Sequence, residues 1–170
     1  MVRPNLNDLP SPSKLGEGFV LRAATRDDSI GLAETLTSAF PEDPWDADRV
    51  IRELIDAGDV DTCYVITHGG NIVATTSVQM REIGGNNGTI HWVGCRPGYF
   101  GNGFGKALII ACMHRFVELG FTQSNLSTDD HRLPAIRLYL SLGYVPDTSA
   151  NESHEARWKA VMENLQADQT

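Results

Sequence analysis

Cationic side chains are the scarce ones in this sequence. Lys and Arg number 14 against 22 Asp and Glu, for a formal net charge of −8 and a pI near 5.0. A chain this short of positive charge lacks the electrostatic footprint of a nucleic-acid binder, so no nucleic-acid partner is expected. The acidic excess suits a cationic substrate drawn in by the field, and equally suits solubility alone. Long apolar runs are missing too, which excludes a membrane-spanning helix. Residues 1–18 are rich in Pro, Ser and Asn and lack the apolar core of a secretory signal and the amphipathic pattern of a transit peptide. They read as a flexible N-terminal arm. Cysteine is sparse and odd in number, with Cys63, Cys95 and Cys112 at no metal-ligand spacing. Each lies in an apolar segment, so buried free thiols, no metal site and a reducing, cytoplasmic setting are expected. The 170 residues, 41% of them hydrophobic and 21% charged, fit one domain over 19–170 with a sizeable core.

What is present is glycine, concentrated where an apolar strand meets a helix. Ile90 to Cys95 is apolar and Pro97 stops it, because proline cannot donate to a ladder and keeps Arg96 extended. Gly98, Gly101, Gly103 and Gly105 follow, and Leu108, Cys112, Phe116 and Leu119 then recur at helical spacing. Strand, glycine loop and helix in that order present unpaired backbone N–H groups at the positive end of a helix dipole, which is an anion site. Strict alternation of Gly101, Gly103 and Gly105 fits neither the dinucleotide G-x-G-x-x-G nor a P-loop, where Lys106 would need a following Ser or Thr rather than Ala107. Taken alone, the loop is equally readable as a turn that lets a helix pack closely on its strand.

The remaining chain supplies a layout. Phe19–Ala23 reads as a strand, and Thr25 with Asp28 has capping-box spacing before the helical recurrence of Ile30, Ala33, Leu36 and Phe40. A second helix starts near Asp46 and stops at Gly58. Cys63–Thr67, Ile72–Arg81 and Thr89–Cys95 form an antiparallel meander, turned by Gly69-Gly70-Asn71 and by the segment 84–88. A strand over Gln123–Thr128 must run parallel to Thr89–Cys95, since a helix joins the two. Ala135, Leu138, Tyr139 and Leu142 form an amphipathic helix ending at Gly143, and Asn151–Leu165 reads as a helical tail. The fold class is therefore α/β with a mixed sheet, β-α-α-β-β-β-α-β-α plus the tail.

Two segments resemble one family in order and spacing. Val93-x-x-x-Pro97-x-Tyr99-x-Gly101-x-Gly103-x-Gly105-x-Ala107-Leu108 is similar to motif A of the GNAT acyltransferases, and Ala135-Ile136-Arg137-Leu138-Tyr139-x-x-Leu142-Gly143-Tyr144 is similar to motif B. The resemblance covers roughly Phe19 to Val145. It implies the GNAT fold, with acetyl-CoA as acyl donor and a small-molecule or peptide amine as acceptor. It also implies a pantetheine arm lying along Val93–Cys95 and a pyrophosphate on the N–H groups of Gly101, Asn102, Gly103, Gly105 and Lys106, and leaves room for a homodimer. Two positions depart from the family: Phe100 stands where Arg or Gln is usual, and Arg132 where motif B has Asn. Arg132 is a candidate for a coenzyme phosphate or a substrate carboxylate.

For the chemistry, Tyr139 matches the motif B tyrosine and is the expected general acid for the leaving thiolate. Holding a lysine-like amine neutral at pH 7 costs about 4–5 kcal/mol and an α-amine about 1, so the need for a base depends on the acceptor. His91 on the central strand and Glu82 at the end of the preceding one are the named candidates. Asp129, Asp130, His131 and an ordered water remain alternatives. The backbone N–H near Gly94 or Cys95 is the expected oxyanion donor, and Phe40, Asp43, Trp45, Asp46 and Glu82 are the expected acceptor lining. A non-catalytic acyl-CoA sensor on the same fold is the competing function.

Overall fold

The computed structural model describes residues 1–80, 86–148 and 152–167. Six strands make one mixed sheet in the order β1-β6-β5-β4-β3-β2. In chain order the elements are β1 (Val2–Arg3), β2 (Phe19–Ala23), α1 (Ser29–Ala39), α2 (Ala47–Val50), β3 (Val60–His68), β4 (Asn71–Gln79), β5 (Asn87–Cys95), α3 (Phe104–Glu118), β6 (Gln123–Leu126), α4 (Leu133–Ser141) and α5 (Glu152–Ala167). β2 through β5 pair antiparallel in sequence order. β6 pairs parallel to β5, with α3 as the crossover.

Local chemistry explains the element starts. The Thr25 N–H donates to the Asp28 carboxylate at 2.8 Å, completing the capping box, and Arg22 grips the same carboxylate with two bonds of 2.7 Å. That guanidinium, the largest cause, holds the Asp28 carboxyl down at about 2. Asp46 caps α2 by accepting from the Arg49 N–H at 2.7 Å. Beyond Val50 the helix widens into one π turn, Ile51–Ile55. Gly69 and Gly70 both take positive φ in the β3–β4 hairpin, as a two-residue turn of matching twist requires.

The first residues behave differently from the expected loose arm. Val2 and Arg3 pair with Asn125 and Ser124 of β6, Val2 bridges Val145, and Met1 and Leu6 are buried. β6 would otherwise be an open edge beside an apolar core, and two apolar side chains in the arm are enough to dock it. Further along, the Pro10 carbonyl lies 2.9 Å from His114 Nε2 on α3.

The main core sits between the sheet and α3, α4 and α5, around Ile90, Ile110, Met113, Phe116, Leu126, Ile136 and Val161. At Gly88, α3 packs tightly on β5: a Cβ there would run into the Phe116 ring. Phe104 is buried against Phe19, with ring centroids 4.8 Å apart.

Candidate active site

β5 and β6 pair from Asn87 and Gln123 as far as Ile90 and Leu126. β6 then ends while β5 runs on to Cys95, so the two strands part. Arg96 N–H donates to Val73 O on β4. By the alternation of an antiparallel ladder Gly94 also faces β4, and the Cys95 N–H and C=O face the gap. Two neighbouring cavities occupy it. One, of about 390 Å³, is lined by His91, Trp92, Val93, Asp129, Arg132 and Tyr139 among others. The other, of about 220 Å³, lies toward Gly94, Cys95, Phe100 and Gly105. Val93, Gly105 and Arg132 belong to both.

A bulge opens the gap further. Ser77 pairs with His91 and Thr75 with Gly94, so Trp92 and Val93 stand opposite Thr76 alone. Trp92 carries φ +52, a costly conformation for a bulky residue. The buried hydroxyls of Thr76 and Ser77 both donate to the His91 carbonyl at 3.2 Å and pin the distortion. Three consecutive hydroxyl residues, Thr75, Thr76 and Ser77, inside an otherwise apolar strand are the sequence signal for it.

The glycine loop meets the same gap. Gly98, Gly101 and Gly103 all have positive φ, and a Cβ on any of them would touch nothing. Conformation, not packing, is what demands glycine there. Gly103 is the N-cap of α3, and no side chain caps the helix, so the N–H groups of its first turn are free to meet an anion. Asn102 folds back, donating to Tyr99 O at 3.0 Å, and Lys106 is exposed. Phe100 is 68% exposed, so its ring adds little to packing.

Tyr139 is 5% exposed, and no hydrogen bond to its hydroxyl is formed among the described residues. Burial pushes its phenol up to about 12, with Arg132 pulling weakly the other way. Its ring packs edge-on to Tyr144 at 6.2 Å. The structure brings His91 into the same cavity, its ring 4.8 Å from that of Trp92. Arg132 sits at the N-cap of α4, paired with Asp129 at 2.9 Å and placed over Phe40 at 5.0 Å. Cys95 lines the smaller cavity, but burial raises its thiol, which does not make an activated nucleophile. Glu82 lies outside the described residues. Among the described residues no group of three His, Cys, Asp or Glu could hold a metal.

The expected acidic acceptor lining changes character. Arg49 binds Asp43 at 2.6 Å and Glu53 at 3.0 Å, and its guanidinium lies 3.9 Å from the Trp45 ring. Trp45 packs edge-on to Trp92 at 4.9 Å, and Phe40 to Trp92 at 5.2 Å. The aromatic wall beside the bulge is real, but the carboxylates behind it are already answered by an internal cation.

A mixed sheet whose parallel pair parts beside a glycine loop and an uncapped helix is the fold of the GNAT acetyltransferases. The chain belongs to the acetyltransferase (GNAT) family, whose model matches residues 30–144. It is 30% identical over 155 residues to a mycothiol acetyltransferase from Thermobispora bispora, a match covering 85% of this chain and 52% of the relative. The chain thus spans about half the length of that relative. Among solved structures, a putative acetyltransferase from Agrobacterium tumefaciens superposes with a TM-score of 0.66 at 23% identity, covering 78% of this chain and 97% of that one. The ribosomal-protein-S18-alanine N-acetyltransferase of Escherichia coli does so with 0.65 at 19% identity, covering 76% and 79%.

Proposed function

We propose that the protein transfers an acetyl group from acetyl-CoA to a primary amine, by direct attack while both are bound. The observation that carries this reading is the parting of β5 and β6 beside the uncapped α3 terminus, with Tyr139 and His91 lining the resulting cavity. The Cys95 edge offers backbone partners to an amide-bearing arm, and the glycine loop with the start of α3, from Gly101 to Lys106, offers donors to a pyrophosphate. Val93 walls the passage between the two cavities, and Arg132 adds a cation at the same place. Kinship with a protein named as a mycothiol acetyltransferase supports acetyl as the group moved.

Tyr139 is the proton donor to the leaving thiolate. A phenol held up to about 12 is fully protonated at neutral pH. His91 takes the amine proton, directly or through water; Glu82 is the other candidate base. The Cys95 N–H, which faces the gap while that of Gly94 faces β4, stabilises the charge that develops on the carbonyl oxygen.

The test is thiol release from acetyl-CoA against amines, polyamines, amino acids and peptides. Intersecting initial-rate lines in the two substrates are expected, and parallel lines would point to a covalent route through Cys95. Tight coenzyme binding with no turnover of any acceptor would instead make this an acyl-CoA sensor.

A further inference from the structure

β5 slips by one residue against β4 at Trp92. Before the slip Ser77 stands opposite His91; after it Thr75 stands opposite Gly94 and Ala74 opposite Cys95. A regular ladder continued from Ser77 and His91 would set Thr75 opposite Val93 and Val73 opposite Cys95. The Cys95 N–H would then donate to the Val73 carbonyl. That carbonyl instead takes the Arg96 N–H at 2.9 Å, which leaves the Cys95 N–H for the gap. The slip therefore decides which backbone donor faces the acyl cavities.

Two features hold it. The hydroxyls of Thr76 and Ser77, both fully buried, donate to the His91 carbonyl at 3.2 Å each. Adjacent strand residues point to opposite faces, so this carbonyl is gripped from both sides of the sheet where the ladder breaks. The Cys112 thiol of α3 donates to Thr76 Oγ1 at 3.8 Å, which leaves the Thr76 proton for His91. These bonds offset the cost of the positive φ at Trp92. The neighbouring Thr75 hydroxyl turns the other way and donates to Tyr64 O on β3 at 3.1 Å. From the α1 side the regular register is blocked, because Val93 would replace Gly94 opposite Thr75. A Cβ at that position comes within 3.0 Å of Ala39 Cβ and 3.2 Å of Phe40, which is overpacked.

We propose that Thr76 and Ser77 are positioning residues for acyl transfer: through the His91 carbonyl they hold β5 in the slipped register, so that the Cys95 N–H, and not that of Gly94, meets the acyl carbonyl. Neither side chain lines an acyl cavity, so both act through the backbone alone. The proposal rests on the acetyl-transfer reading for what the donor does, and on the register alone for where it points.

Thr76→Val and Ser77→Ala, singly and together, remove the hydroxyls with little change of volume. Thr75→Val is the control, because it deletes an equally buried hydroxyl that bonds to β3. Circular dichroism checks that each variant folds; should the double variant fail, the single ones carry the same comparison. Activity is thiol release from acetyl-CoA with glycinamide, an α-amine that needs little help from a base. The double variant should lose about 10²-fold in kcat, the lower end of what loss of an oxyanion donor costs. Its affinity for CoA in calorimetry should stay within about 3-fold, since the glycine loop is untouched. Thr76→Ser, which keeps the hydroxyl, should recover most of what Thr76→Val loses, and Thr75→Val should keep the wild-type kcat. In NMR the wild-type Cys95 amide should move more than that of Gly94 when acetyl-CoA is added. In the double variant that response should vanish while those of Gly103 to Lys106 persist. Unchanged kcat with an unchanged Cys95 response in the double variant overturns the proposal and leaves the transfer reading standing. An equal loss of kcat in Thr75→Val overturns it as well. A Cys95 response that the double variant loses, with no amine acetylated by either protein, supports the register role and sinks the transfer reading.

Discussion

Tyr139 is buried for the sake of its ring, yet its hydroxyl has no partner among the described residues. Removing that oxygen therefore tests chemistry with little structural cost. Tyr139→Phe should lower kcat by about 10²–10⁴-fold, keep the affinity for acetyl-CoA and shift stability by less than about 1 kcal/mol. Thiol-release kinetics, calorimetry and urea denaturation check the three parts, and an unchanged kcat under saturating amine removes the assignment. Gly103 is the second residue whose role is separable from packing. A Cβ there meets nothing, but φ is +76, so Gly103→Ala strains the α3 N-cap by about 1–2 kcal/mol and turns first-turn N–H groups away from a bound anion. Coenzyme affinity should fall about 10-fold or more in calorimetry. Equal affinity would detach the loop from phosphate binding.

At the scale of elements, the orientation of α3 on β5 decides whether loop and gap meet. Gly88 sets that distance, since any side chain there collides with Phe116, itself fully buried. Gly88→Ala should cost about 1–3 kcal/mol through overpacking, read as a lower urea midpoint, and should weaken coenzyme binding by tilting the helix. A wild-type midpoint would mean that α3 yields freely. The bulge at Trp92 works on the other strand pair. By placing two residues opposite Thr76, it re-aims β5 away from β6 and turns Trp92 into the aromatic wall with Phe40 and Trp45.

For the whole molecule, four buried acidic groups share one sign of shift. Burial raises Cys63 to about 11, Cys112 to about 12 and Tyr139 to about 12, and it raises Tyr144 too. In each the folded value lies above the unfolded one, so the stability contributed is complete below the unfolded values of 9.0 for the thiols and 10.0 for the phenols. It is lost as pH rises toward the folded values. At pH 10.5 each thiol alone accounts for about 2 kcal/mol, a large share of the 5–15 kcal/mol typical of a domain. The urea midpoint should therefore fall steeply between pH 9 and 11. A flat profile would show that these groups ionise without unfolding the protein.

Much of this protein follows from local rules that act within a few residues. Pro97, the positive-φ glycines and the helical recurrence after Phe104 made the strand, loop and α3 legible, and the Thr25–Asp28 box and the Gly69–Gly70 turn were legible for the same reason. The motif A and motif B spacings carried the family, and the helix between the two strands dictated the parallel β5–β6 pair. What stayed hidden depends on partners distant in the chain. Two residues of the N-terminal segment pair with β6 across more than a hundred positions, and no composition signal marks so short a strand. Asp43 looks like part of an open acidic lining until the turn into α2 sets the Arg49 guanidinium between Asp43, Glu53 and Trp45, a local side-chain geometry that spacing alone does not give. The Trp92 bulge needs the register of β4 against β5, and a cavity lined by Asn87, Asp130, Arg157 and Trp158 exists only once α5 closes over the sheet edge. Sequence by itself determined the longer strands, the helices and the glycine turn, because those depend on backbone sterics and periodicity. Tertiary structure alone decided which charges are answered and which cavities form, because burial and pairing join residues that the chain keeps apart.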